Sequence, residues 1–318
     1  MPELKKIATR ESYGRALVEL GRKHEDLIVL DADLAEATKT NIFRKEFPAR
    51  HIDCGIAEAN MMGIAAGLSL TGKVPFASTF AMFAAGRAYE QVRNTIGYPH
   101  LNVKIAATHA GISVGEDGAS HQCLEDLALM RMIPGMTVMC PADDVEARAM
   151  VEAAYAHEGP VYMRFGRLAV PAVNDAAYRF EWGKGKKLRE GSDVVILATG
   201  LLVAPALEAA ERLAAESSLS VAVANIHTIK PLDEELVLTM AKEAKLVVTA
   251  EEHSILGGLG GAVAELLAEK APKRLLRRLS VRRVGACRGA PAKVQARRGG
   301  GLRAGARRSG FLKKRALA

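Results

Sequence analysis

Cysteine is scarce, with four in 318 residues, and Cys54, Cys123, Cys140 and Cys287 show no paired spacing. That excludes a disulfide framework and a cysteine-held zinc site, and leaves buried thiols as the expectation. Long apolar runs are also missing. The most hydrophobic stretches are too short or too interrupted by glycine to span a bilayer, and the opening Met-Pro-Glu-Leu-Lys-Lys lacks the apolar stretch of a signal peptide. No membrane partner is therefore expected, and the expected location is cytoplasmic. Aromatic residues make up only 5% of the chain, so any one Phe reads as ordinary core packing unless something else singles it out. From Lys273 onward acids are absent, while 16 Lys or Arg remain. Without those 16, residues 1–272 hold 28 basic against 36 acidic side chains, so the formal net charge of +8 belongs to the tail and the body is acidic. The tail has neither aromatic interleaving nor a recognisable module, which argues against a nucleic-acid partner.

What is present is an alternation of short apolar runs with helical periodicity, the mark of mostly parallel sheets covered by helices in an α/β protein. Leu27 to Leu30, a stretch near His51 to Cys54, Val74 to Ala77, Asn102 to Thr108, Met136 to Cys140 and Val161 to Arg164 read as strands, with helices between them. Pro171 to Trp182 has no clear period, and with the basic Lys184 to Arg189 it reads as a connection. A second unit follows, with strands at Asp193 to Ala198, Leu219 to Ala224 and Lys245 to Ala250. The expected division is 1–170, a linker 171–190, 191–272, and a basic tail 273–318 that should not pack. In its Arg, Gly and Ala content that tail looks like frame-shifted reading of a G+C-rich gene. The run Gly257-Gly258-Leu259-Gly260-Gly261 lacks the Lys-Ser/Thr of a phosphate loop, so close backbone packing is its expected role.

Two features stand out chemically. Between Asp53 and Lys73, Glu58 is the only charged residue, and it heads an apolar stripe of Met61, Met62 and Ala65 at helical spacing. Such a carboxylate either favours the positive end of a helix or sits poorly hydrated and exchanges a proton with a ligand. The second feature is the glycine-rich loop from Thr108 to Gln122, which carries His109, Glu116, Asp117 and His121 just past a strand end, where ligands bind in open α/β sheets.

Gly55-Ile56-Ala57-Glu58, Thr79-Phe80-Ala81-Met82-Phe83 and Gly115-Glu116-Asp117-Gly118-Ala119-Ser120-His121-Gln122 stand in the order and spacing of transketolase. Residues 7–270 resemble only the second half of that enzyme, its pyrimidine-binding and C-terminal domains, so the chain resembles the C-terminal subunit of a split transketolase. The resemblance implies thiamine diphosphate as cofactor, with Glu58 hydrogen-bonded to N1′ of the aminopyrimidine and Phe80 and Phe83 flanking that ring. It also implies that His109, Asp117 and His121 line the substrate channel. Arg10 and Arg164 would grip the sugar phosphate, and Asp33 resembles an active-site aspartate.

Three positions depart from the family pattern: Ala59 replaces a histidine, Ala37 or Thr38 a serine, and Gly86 a third aromatic residue. The Gly-Asp-Gly motif that binds the diphosphate and its metal is absent from the sequence. The resemblance therefore implies a separate N-terminal subunit that holds the diphosphate and a divalent Mg or Ca, in an α2β2 assembly acting on sugar phosphates of the pentose phosphate pathway. Rival expectations are a 1-deoxyxylulose-5-phosphate synthase-like or 2-oxo-acid dehydrogenase β-like subunit, or a catalytically silent module that stabilises a partner.

Overall fold

The apolar runs become the centre of a seven-stranded sheet. In spatial order its strands are Thr228–Lys230, Thr137–Met139, Val161–Arg164, Lys104–Thr108, Val74–Phe80, Leu27–Asp31 and His51–Asp53. All neighbours are parallel except the first pair. Every residue of Val74–Phe80 and Lys104–Thr108 is buried, as expected of strands covered by helices on both faces. The computed structural model describes residues 6–279.

On one face the helices Thr9–Lys23 and Asp144–Ala156 bury Tyr13, Leu17, Met150 and Val151 against Leu27, Phe76 and Met163. The second of these helices begins where its sequence says it should, because the Asp143 carboxylate accepts from Glu146 N at 2.9 Å. On the other face the helix Glu58–Ser69 packs Met61, Met62 and Ala65 into a core that runs on through Val138 and Ile226 to Val195 and Val263 of the second unit. The two units thus share one hydrophobic core.

The second unit is a five-stranded sheet in the order Leu275–Leu279, Leu246–Glu251, Val194–Ala198, Val221–Asn225 and Lys186–Arg189. Here the structure corrects two expectations. Lys186–Arg189 is not part of a free connection, but pairs antiparallel with Val221–Asn225 at the sheet edge. Its basic composition suits an edge strand, where side chains meet water and charge discourages further pairing. Leu275–Leu279, placed by composition in the unpacked tail, pairs in parallel with Leu246–Glu251. Residues 280–318, including Cys287 and most of the basic tail, lie outside the described residues.

A strand unseen in the sequence, Thr228–Lys230, leaves the second unit and pairs antiparallel with Thr137–Met139 of the first sheet. The glycine run does serve close packing. The Glu251 carboxylate accepts from Leu259 N and Gly260 N, both at 2.7 Å, and a Cβ on Gly258 would fall 2.1 Å from Glu251 Oε2. Among the thiols, Cys123 and Cys140 are buried and Cys54 is half-buried.

Candidate active site

Parallel strands end together, and the loops beyond their C-terminal ends converge. Phe80 ends the strand Val74–Phe80, His109 follows Lys104–Thr108, and Glu58 opens the helix after His51–Asp53. These three residues, far apart in the chain, are parts of one cluster.

Glu58 is 1% exposed although it begins a helix, so it is poorly hydrated and also stands at the positive end of that helix. Its burial is matched by a partner the sequence did not single out: Arg87 Nη1 donates to both carboxylate oxygens at 2.8 Å. The Arg87 guanidinium lies 4.4 Å from the centroid of the Phe83 ring. From Phe83 to Gly97 the chain is helical with wide turns, as where Ala88 N donates to Phe83 O. Such i→i+5 turns are concentrated at functional sites.

Phe83 stacks on Phe80 at 5.8 Å and 14°, and Phe80 stacks in turn on His109 at 4.0 Å. His121 meets the edges of both phenyl rings, at 6.0 and 5.3 Å. The buried Phe80 and half-buried Phe83, beside a buried carboxylate, are the residue types suited to a flat heteroaromatic ring with a basic nitrogen. Each Glu58 oxygen keeps a lone pair that Arg87 does not use. Those observations fit an aminopyrimidine. Among the described residues no group of three or more His, Cys, Asp or Glu is arranged to hold a metal ion.

His109 is fully tied. Its Nε2 lies 3.1 Å from Arg10 Nη1 and its Nδ1 2.9 Å from Thr108 Oγ1. A guanidinium can only donate, so Nε2 is the acceptor and the proton sits on Nδ1. Burial first, and then the Arg10 charge, lower the His109 pKa to about 3. The imidazole is therefore neutral at physiological pH. A histidine so depressed takes up a proton in the unfolded chain near its ordinary 6.5 but not in the folded one. Its contribution to stability is thus complete above that value and is lost as pH falls toward 3. NMR titration of the His109 ring should show no protonation between about pH 5 and 8, and a midpoint near 6 would contradict this geometry.

Arg10, on the first turn of its helix, also donates to Ala37 O at 2.8 Å. Its pKa is lowered by burial and then by the charge of Arg167, while Asp117 acts the other way. Arg167 reaches across Gly115, whose φ of +83° and lack of a side chain make room; a Cβ there would lie 2.3 Å from Arg167 Nη1. Two guanidiniums near His109 and an exposed Asp117 make a positive, hydrogen-bonding rim. Arg167 was not singled out in the sequence, although Arg164-Phe165-Gly166-Arg167 offers two arginines.

Arg164 is elsewhere. It is 4% exposed, and its Nε and Nη2 bind Asp126 at 2.8 and 3.2 Å, with Nη2 also donating to Glu252 O at 2.8 Å. Asp126 accepts a further bond from Tyr162 Oη. The guanidinium expected to grip a phosphate is here committed to Asp126 and the Glu252 backbone, beneath the loop and between the two units. Asp33 is exposed in the left-handed region at φ 58°, with its N–H on Asp53 Oδ1 at 3.1 Å.

Comparison with known proteins gives the same picture. Residues 5–172 match the transketolase pyrimidine-binding domain, and residues 183–298 match the transketolase C-terminal domain. A Methanocaldococcus jannaschii protein described as a transketolase C-terminal section is 50% identical over 274 residues, covering 86% of this chain and 85% of its own. The 6-deoxy-6-sulfo-D-fructose transketolase subunit of Clostridium sp. MSTE9 is 45% identical, covering 86% and 84%. A solved structure of a split-gene transketolase, an inactive β4 tetramer, superposes with a TM-score of 0.80 at 56% identity, covering 86% of this chain and 89% of that one. With both domains matched in order and the aromatic and carboxylate cluster at their strand ends, this chain belongs to the transketolase family, whose pyrimidine-binding and C-terminal domains it carries.

Proposed function

We propose that the chain supplies the aminopyrimidine side of a thiamine diphosphate site. With a separate N-terminal subunit it would transfer a two-carbon ketol unit from a ketose phosphate to an aldose phosphate, as in the pentose phosphate pathway. The observation that carries this reading is the buried Glu58 beside the stacked Phe80 and Phe83. Thiamine diphosphate, when bound, supplies the electron sink for the two-carbon fragment. Glu58 would hold a proton toward N1′, and the two phenylalanines would flank the ring. His109, in its neutral form, would orient sugar hydroxyls together with Asp117 and His121. A partner subunit would bring the diphosphate and a divalent Mg or Ca, in an α2β2 assembly. Transketolase C-terminal sections occur as separate chains among the relatives, and the β4 tetramer is described as inactive. No helix among the described residues is long and apolar enough to cross a membrane; a cytoplasmic location is part of the proposal.

Arg10 and Arg167 would grip the anionic end of the substrate. Similar proteins are named for a sulfo-sugar and for apulose 4-phosphate, and both sugars carry such an anion. Arg167→Ala should raise KM for phosphorylated donors by about 10–100-fold and leave unphosphorylated analogues nearly unchanged. An equal effect on both kinds of substrate would remove Arg167 from the site. The assay that tests the function itself joins this chain with a diphosphate-binding subunit and compares sugar-phosphate exchange with pyruvate consumption. Exchange supports the reading, whereas pyruvate consumption alone would favour a synthase or dehydrogenase.

A further inference from the structure

None of the side chains in the Glu58, Phe80 and His109 cluster comes from the second unit, yet that unit reaches the loop beside it. Glu252 follows the strand Leu246–Glu251, is 3% exposed, and has no cationic side chain at hydrogen-bonding distance among the described residues. Its Oε1 accepts from Ile112 N at 3.1 Å and Ser113 N at 2.8 Å, and its Oε2 from Ser113 Oγ at 3.2 Å. Gly111, at φ +79°, lies directly against it, since a Cβ there would fall 2.3 Å from Glu252 Cδ. Two residues on, Ser254 N donates to Leu124 O at 2.8 Å, so the second unit ties down both limbs of the loop. The loop base is closed by mutual backbone bonds between Gly111 and Cys123, at 2.8 and 3.1 Å. Beyond that base, the turn holding Asp117 and His121 has weak ties: Gly118 N to Gly115 O at 3.4 Å, His121 N to Gly118 O at 3.1 Å, and an exposed ion pair from Glu116 to Arg167 at 3.4 Å.

We propose that Glu252 is a positioning residue: it clamps Ile112 and Ser113 from the second unit and so sets where Asp117 and His121 stand around the substrate. A carboxylate taken almost wholly out of water is costly unless its oxygens are met, and here they are met by the loop's backbone. Arg164 fixes the clamp from behind, with Nη2 on Glu252 O at 2.8 Å and on Cys123 O at 3.5 Å. The kinetic consequence rests on the proposed reading of the site; the mechanical one does not.

The test uses the full chain, alone and joined to a diphosphate-binding subunit. In Glu252→Ala, amide exchange over residues 110–122 should rise by about tenfold while the strand Lys104–Thr108 stays protected. Glu252→Gln keeps one oxygen for the two N–H groups and should restore most of that protection. In the complex, Glu252→Ala should raise KM for the donor ketose phosphate by about tenfold, with thiamine diphosphate affinity within about twofold of the parent. If Glu252→Ala does not fold, Gly111→Ala presses on the same carboxylate from the other side and should give the same loop-confined rise. Unchanged loop exchange, exchange that rises evenly over both domains, or equal losses of donor and cofactor affinity would each overturn the proposal. A loop-confined rise in a complex whose parent form transfers no ketol unit would keep the clamp and overturn the proposed function instead.

Discussion

Glu58→Gln should lower turnover of the assembled enzyme by about 10²–10⁴-fold, the range expected when a positioned proton donor or acceptor is removed. The amide has the size of the carboxyl group, so the buried stripe of Met61, Met62 and Ala65 need not repack. Arg87 can still donate to the remaining oxygen, and its half-exposed guanidinium recovers water where the second bond is lost. Folding should therefore be retained, as read by circular dichroism and the melting temperature. What the amide cannot do is exchange a proton with a ring nitrogen. Turnover has to be measured at full cofactor loading, so that weak binding is not mistaken for slow chemistry. Activity close to that of the parent complex under those conditions would remove Glu58 from the proposed role.

Arg164→Ala should act on stability rather than on substrate affinity. The substitution leaves Asp126, which is fully buried, without its cation, and leaves the carbonyl groups of Cys123 and Glu252 without a donor. Removing one partner of a buried ion pair costs about 3–5 kcal/mol, a large fraction of the stability of most domains. Both units should be affected, because the pair joins the helix Asp126–Arg131, the strand Val161–Arg164 and the backbone at Glu252. Burial alone would raise the Asp126 pKa, but the charges of Arg164 and His253 and the hydrogen bonds from Arg164 and Tyr162 together outweigh it and hold the carboxyl below its ordinary 3.8. The stability from this pair is thus complete above that pH and is lost as acid carries the solution below it. Urea unfolding of the purified chain at neutral pH measures the effect. Unchanged stability, together with a selective rise in KM for phosphorylated sugars, would instead return Arg164 to the phosphate site.

A large part of the molecule is local in origin and legible from residue order. Apolar runs of four to seven residues mark the central strands, Asp143 marks the start of a helix, and Glu58 stands out because no other charge occurs between Asp53 and Lys73. The glycine-rich loop after Thr108 marks a candidate site, because it places polar groups where a parallel sheet ends. Each of these signals is a pattern within a few residues, and local patterns survive any tertiary arrangement. Tertiary structure decided which charge meets which. Arg87 lies 29 residues from Glu58, Asp126 is 38 from Arg164, and Glu252 is 139 from Ser113. Arg164 and Arg167 are three positions apart and look alike in the sequence, yet the first ends a covered strand and is consumed by Asp126, while the second turns back over Gly115 toward Arg10. The edge strands Lys186–Arg189 and Leu275–Leu279 escaped for a related reason. A strand at a sheet edge is defined by the backbone it pairs with rather than by its own side chains, and hydrogen-bond partners brought together by folding leave no local mark on the residues that join them.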